Sequence, residues 1–272
     1  DTDALIPVRD MLDMATLRNF RKHDKKTLGS RVVHYEKMYK DLLRIFIFEG
    51  GHEMLPEVTL DPVPAKRILA IGDSNGAAEN GWVNQLKKLR FHDFIYNTSI
   101  SGNTIGFDNL GDEKLNTLRN VNRYIEDAYE QLGGLDVILV MLGTNDCKAV
   151  FDDQLPKVPE YMHTLINRIK EHPLCIKSDP VITLISPPPQ GNDEVMREKY
   201  HGGAERIAWL YPRFKKIADK TGCRFVDVYN PLLPVWQYYA SEGIHPCPEG
   251  QKLMAEIIHR DMEKDIPVRT EK

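Results

Sequence analysis

From residue 66 onward, short apolar runs alternate with longer stretches whose apolar positions recur every three or four residues. The runs are RILAIG (67–72), FIYNTS (94–99), DVILVML (136–142), VITLIS (181–186) and RFVDVY (224–229). Helical spacing appears near 81–90, 113–132, 157–171 and 203–220, with a last stretch near 248–263. Continuously apolar strands are covered on both faces, and strands that alternate with helices build a mostly parallel sheet. The pattern predicts an α/β fold, a three-layer α/β/α sandwich around a five-stranded parallel sheet, spanning residues 65–272.

Residues 1–64 read differently. Val32, Tyr35, Met38, Tyr39, Leu42, Leu43 and Phe46 recur at helical spacing and predict an amphipathic helix ending near Gly50 and Gly51. A weaker helical stretch, Met11, Met14, Leu17 and Phe20, precedes it, and LDPVPAKR reads as a stiff connector. This gives a helical N-terminal extension, expected to pack on the outside of the main domain.

Composition narrows the partners. The chain has 272 residues, 42% hydrophobic and 28% charged, with a formal net charge of −4. That charge is spread along the chain and offers no basic face for nucleic acid. The basic cluster at residues 21–26 contains Asp24 and reads as a solvated loop. No apolar run approaches the roughly 18 to 20 residues of a membrane helix, and LLRIFIF (42–48) is interrupted by Arg44. The four cysteines are widely spaced without a C-x-x-C pair, so no metal site is expected.

In parallel sheets the chemistry sits in loops beyond the carboxyl ends of the strands. GDSNG follows the first strand here, SISGNT the second, GTND the third and SPPP the fourth. SEGIHPCPEG, with Glu242 three residues before His245, follows the fifth strand and an aromatic stretch. One sheet edge thus gathers a serine, a glycine, an asparagine and a histidine with a nearby carboxylate. Acyl transfer needs that inventory: a nucleophile, a base, a group to orient the base, and donors for an oxyanion.

These blocks, in this order across about residues 66–260, resemble those of the SGNH (GDSL-like) hydrolase superfamily. Ser74, Gly102, Asn145 and His245 fall on the four residues that name it, and MLGTNDCKAVF and SPPP resemble its arylesterase-like and acyltransferase-like members. The resemblance implies a flavodoxin-like strand order and a serine esterase without cofactor or metal. Ser74 would attack an ester carbonyl and His245 would carry the proton. The Ser74 and Gly102 backbone N–H groups and the Asn145 amide would form the oxyanion hole. Small acyl groups such as acetyl, on a small-molecule ester that includes acetylated carbohydrate, are the expected substrates. Neither a lid nor a long apolar lipid-binding segment is visible, which sets long-chain lipase activity behind them. Acyl transfer to an alcohol or peroxide is the alternative within enzymes, and a catalytically weakened binding module the alternative outside them.

One position departs from the family. Its histidine block is Asp-x-x-His, whereas this chain has Glu242. Glutamate can hold an imidazole as well, but its longer side chain needs a different backbone offset. Glu242 is expected to be the triad acid, with a backbone carbonyl or a weakened site as the competing readings. Asp227, Asp73 and Asp146 are expected to make structural hydrogen bonds, and Asn103 and Thr104 to cap the segment after Gly102. Trp236, Tyr238 and Tyr239 either pack on the last helix or rim the site.

Cysteine placement allows two disulfides, Cys147 with Cys247 and Cys175 with Cys223, which would favour a periplasmic or secreted setting over the cytoplasm. Four free thiols are the other outcome. Asn97-Thr98-Ser99 matches a glycosylation acceptor, but its place at the end of a buried strand argues for coincidence. The exposed face of the N-terminal helices and residues 187–200 offer surface for a homo-oligomer contact or cover for the core.

Overall fold

In a computed structural model the chain divides into two units, residues 1–64 and 65–272. The structure describes residues 65–264 in full, and in the first unit four strands. These are β1 (Arg31–Met38), β2 (Leu42–Glu49), β3 (Glu53–Met54) and β4 (Val58–Leu60). β1 pairs antiparallel with β2 in the register Val33↔Ile47 and Tyr35↔Ile45, and β3 and β4 both pair with β2. The helix expected over residues 32–46 is therefore replaced by paired strands. Short apolar stretches satisfy helical and strand periods together, and here β-branched and aromatic residues (Val32, Val33, Ile45, Phe46, Ile47, Phe48) favour the strand. The expected helix around Met11–Phe20 lies outside the described residues.

The second unit follows the predicted alternation. Its strands are β5 (Arg67–Gly72), β6 (Phe94–Asn97), β7 (Val137–Met141), β8 (Val181–Ile185) and β9 (Arg224–Val226). All pair in parallel, in the order β6-β5-β7-β8-β9. The helices are α1 (Ser74–Ala77), α2 (Trp82–Leu89), α3 (Thr117–Leu132), α4 (Val158–Glu171), α5 (Pro173–Ser178), α6 (Gly203–Thr221), α7 (Tyr229–Leu232), α8 (Trp236–Tyr239) and α9 (Pro248–Glu263).

Alternate residues of each strand feed opposite cores, as a pleated strand requires. Leu69, Ile71, Ile138 and Val140 pack with α3, α4 and α6 through Ile125, Leu165 and Phe214. Ile68, Ala70, Val137 and Leu139 pack with α2 and α9 through Trp82, Leu86, Met254 and Ile258. Five residues in succession, Val137 to Met141, are buried because both faces are covered. Among the described residues no helix is long and apolar enough to cross a membrane.

Strand order reverses between β5 and β7, since β6 leaves to one side and β8 and β9 to the other. Loops diverge there and leave a crevice at the carboxyl ends, where open α/β sheets bind ligands. Ser74 follows β5 and Asn145 follows β7, so topology alone puts these two at that crevice.

Candidate active site

Ser74 opens α1 directly after β5. The turn is braced by Asp73, which caps α1 by accepting from the Asn75 N–H at 2.9 Å. Gln251 of α9 ties the turn down: its Oε1 accepts from the Trp82 N–H at 2.9 Å and its Nε2 donates to Asn75 Oδ1 at 3.2 Å. Ser74 itself stays half-buried at the floor of a cleft of about 510 Å³. Ala77, Ala78, Ser101, His245 and Pro246 are among its lining residues.

The histidine loop reaches this serine from the far end of the chain. Ser74 Oγ lies 2.9 Å from His245 Nε2, and His245 Nδ1 lies 2.6 Å from Glu242 Oε1. A carboxylate only accepts, so Nδ1 carries the proton towards Glu242 and Nε2 is left to accept from the Ser74 hydroxyl. The same Glu242 oxygen accepts from the His245 backbone N–H at 2.6 Å. The longer glutamate thus folds back over its own turn, and that turn supplies the offset its length requires. Gly243 makes the bend at φ +82°, a left-handed conformation that side chains resist. Its carbonyl accepts from the Gly191 N–H at 2.8 Å and from Trp236 Nε1 at 2.9 Å.

Gly102 and Asn145 come in from β6 and β7. Gly102 has φ +88°, and its carbonyl accepts from Asn109 Nδ2 at 2.6 Å. Asn145 is 2% exposed. Its Nδ2 donates to the Asn103 carbonyl at 3.0 Å, while its Oδ1 accepts from the Tyr200 hydroxyl at 3.2 Å. These two bonds fix which way the amide faces and leave its second N–H for another acceptor.

Two buried carboxyls lie close by. Burial pushes Asp146 up to about 7, and the neighbouring Asp73 charge adds to it. Its oxygens accept from the Ile105 N–H at 2.9 and 3.2 Å, a structural bond across the loops. Burial likewise raises Asp73, held in check by the Asn75 N–H. Burial pushes the Tyr200 phenol up to about 12, so it remains a donor to Asn145 at neutral pH.

Several sequence expectations meet their outcome here. The four blocks converge, and Glu242 is the hydrogen-bond partner of His245. Asp227 is occupied structurally, accepting from the Tyr211 hydroxyl at 2.9 Å and from Asn230. Thr104 caps as expected, accepting from the Phe107 N–H at 3.1 Å. Asn103 instead reaches back to the Gly72 carbonyl at 3.1 Å and ties the second loop to β5. Trp236 is buried against the histidine loop, whereas Tyr238 is 76% exposed. All four cysteines are free, so neither disulfide forms and the compartment argument built on them loses its support. Asn97 spends its amide on the Gly76 carbonyl at 2.9 Å, which fits coincidence at the glycosylation match. From residues 187–200, Met196 and Tyr200 pack with Ile244 of the histidine loop. Tyr200, Asn109 and Gln251 went unread in the sequence, because nothing local marks a tyrosine or an amide that acts across the fold.

The family profile described as GDSL-like Lipase/Acylhydrolase family matches residues 69–253. Solved structures share the fold at low identity. The carbohydrate acetylesterase Est24 from Sinorhizobium meliloti is 20% identical with a TM-score of 0.59, over 74% of this chain and 99% of that one. The native aryl esterase of M. smegmatis is 21% identical with a TM-score of 0.59, over the same shares of the two chains. A lipase/acylhydrolase from Enterococcus faecalis is 18% identical with a TM-score of 0.57, over 75% of this chain and all of the other. No curated protein matches the sequence closely.

Proposed function

The chain belongs to the GDSL-like lipase/acylhydrolase family and is a carboxylic ester hydrolase; from that premise we propose that it cleaves small-acyl, acetyl-type esters through an acyl-enzyme on Ser74. The observation that carries the reading is the unbroken hydrogen-bond path from Ser74 Oγ through His245 to Glu242. His245 Nε2 takes the hydroxyl proton as Ser74 Oγ bonds to the ester carbonyl carbon. The carbonyl oxygen becomes an oxyanion, received by the Ser74 and Gly102 N–H groups and the remaining Asn145 N–H. Collapse breaks the bond to the alcohol oxygen, which leaves with the proton from Nε2. A water then repeats the sequence, with His245 again as base, and releases the acid and free Ser74. Glu242 holds the productive tautomer and stabilises the imidazolium. Each oxyanion donor is worth about 10²–10³ in rate.

Two features favour small acyl groups on a polar alcohol. Ala77, Ala78 and Ser101 are small side chains that line the cleft beside Ser74. The side chains of His245 and Glu242 are 45% and 38% exposed, which leaves the leaving-group side open to water and to a bulky alcohol such as a sugar. The carbohydrate acetylesterase and aryl esterase that share the fold make acetylated sugars and aryl acetates the first substrates to try.

A p-nitrophenyl ester series from acetate to palmitate, with Ser74→Ala beside the wild type, tests this. The expected result is a maximum at acetate that disappears in the variant. A maximum at long chains would keep Ser74 and reject the small-acyl pocket. Turnover that survives Ser74→Ala would reject the acyl-enzyme.

A further inference from the structure

Behind the oxyanion donors lies a buried cation to which ester hydrolysis gives no direct task. Lys148 follows Asn145 by three residues and is 6% exposed. Burial, with Lys199 nearby, pulls its ammonium below the usual lysine range. A strongly hydrated ammonium is costly to bury unless its hydrogen bonds are satisfied. Its Nζ donates to Asn109 Oδ1 at 3.1 Å. The same amide donates through Nδ2 to the Gly102 carbonyl at 2.6 Å. Lys148 Nζ also stands 5.8 Å from the centroid of the Tyr200 ring, whose hydroxyl orients Asn145.

This relay has a direction. An ammonium donates only, so Asn109 must turn its oxygen to Lys148 and its NH₂ to the Gly102 carbonyl. A flipped amide would set NH₂ against ammonium and oxygen against oxygen. The peptide between Gly102 and Asn103 is then held on both sides, its carbonyl by Asn109 and its N–H by the Ile100 carbonyl at 3.0 Å. With that peptide fixed and Gly102 at φ +88°, the preceding peptide, which carries the Gly102 N–H, is aimed as well. The loop that delivers Asn109 is itself strained. Leu110, 88% exposed, sits at φ +59°, a left-handed conformation that leucine avoids. Strain of this kind persists where neighbouring bonds over-determine the backbone, and the Asn109 amide bonds are adjacent.

We propose that Lys148 is a positioning residue for ester hydrolysis: acting through Asn109, it holds Gly102 so that its N–H faces the oxyanion. The proposal rests on the hydrolytic reading above, and it assigns Lys148 no contact with substrate.

Two variants test it, with active sites counted by a p-nitrophenyl phosphonate that labels Ser74. Lys148→Met keeps the length of the side chain and removes the donor. It should lower kcat per labelled site about 10- to 100-fold, with KM little changed, as a misplaced donor does. Asn109→Asp keeps a partner for Lys148 and removes the donor to the Gly102 carbonyl. It should show the same loss of kcat while its thermal midpoint stays near that of the wild type, which a purely structural role for Lys148 would not produce. If Lys148→Met does not fold, Asn109→Asp decides alone. Wild-type kcat per labelled site in Asn109→Asp, beside an active wild type, overturns this inference and leaves the hydrolase reading standing. A wild type without Ser74-dependent turnover overturns both.

Discussion

At the amino-terminal edge of the sheet, Arg67 meets both oxygens of Asp136 at 2.7 and 2.9 Å, and Asp136 also caps the Arg67 backbone N–H. Beside it Arg90, 1% exposed, is held by Asp93 at 2.5 Å and by Glu263 at 2.6 Å. At the carboxyl-terminal edge, Asp73 and Asp146 are buried more deeply than Asp136 and are met by backbone N–H groups, and both are pushed up. The hydrogen bond from Arg67 lowers Asp136, the opposite direction. One edge closes its charges against each other and locks strand starts in place. The other leaves the Ser74 hydroxyl and the His245 imidazole lining a cleft. Carboxyls of one residue type are thus held in opposite protonation directions according to burial and whether a complementary charge is supplied.

The contrast predicts that substitutions at the two edges separate activity from stability. The largest effect should come from Glu242→Gln, which keeps shape but can offer an amide N–H to Nδ1 and favour the wrong tautomer. It should lower kcat by up to about 10⁴-fold and barely move the thermal midpoint. Near-wild-type turnover would mean that another group orients His245.

Asp93→Ala should do the reverse. It leaves the buried Arg90 guanidinium to Glu263, which is half-exposed, and to His259, and breaking such a buried pair costs about 3–5 kcal/mol. Denaturant unfolding should show that loss, with kcat per active site unchanged. A fall in kcat without loss of stability would erase the distinction between the edges.

A further effect concerns pH. Asp146 keeps its proton in the folded chain up to about 7, whereas its ordinary value is 3.8. The stability linked to that proton is complete below about 4 and is lost as pH rises through 7. Asp146→Asn has no such proton to lose, so its midpoint should gain on that of the wild type between pH 4 and 7. Parallel midpoints across that window would show that Asp146 is ionised in the fold.

Much of this molecule is legible locally. β5 coincides with RILAIG, and α9 with the last helical stretch, because a continuous apolar run and a long amphipathic period are strong signals. The loops that hydrogen-bond to one another beyond the sheet were legible as well, since the fold places loops after strands. The misreading over residues 32–46 arose where a short apolar stretch carries both periods. There, pairing between β1 and β2 decided, and pairing is not a local property.

Local pattern specified a parallel sheet covered on both faces and the loops that follow its strands. Only the tertiary structure decided how Glu242 folds over its own turn to reach Nδ1, and that all four thiols stay apart. It also decided that Tyr200 stands behind Asn145, and Lys148 and Asn109 behind Gly102. The physical reason is range. Periodicity and capping act over a few residues and leave a trace in the chain, whereas a hydrogen bond between residues 39 or 55 positions apart depends on packing that no short stretch encodes.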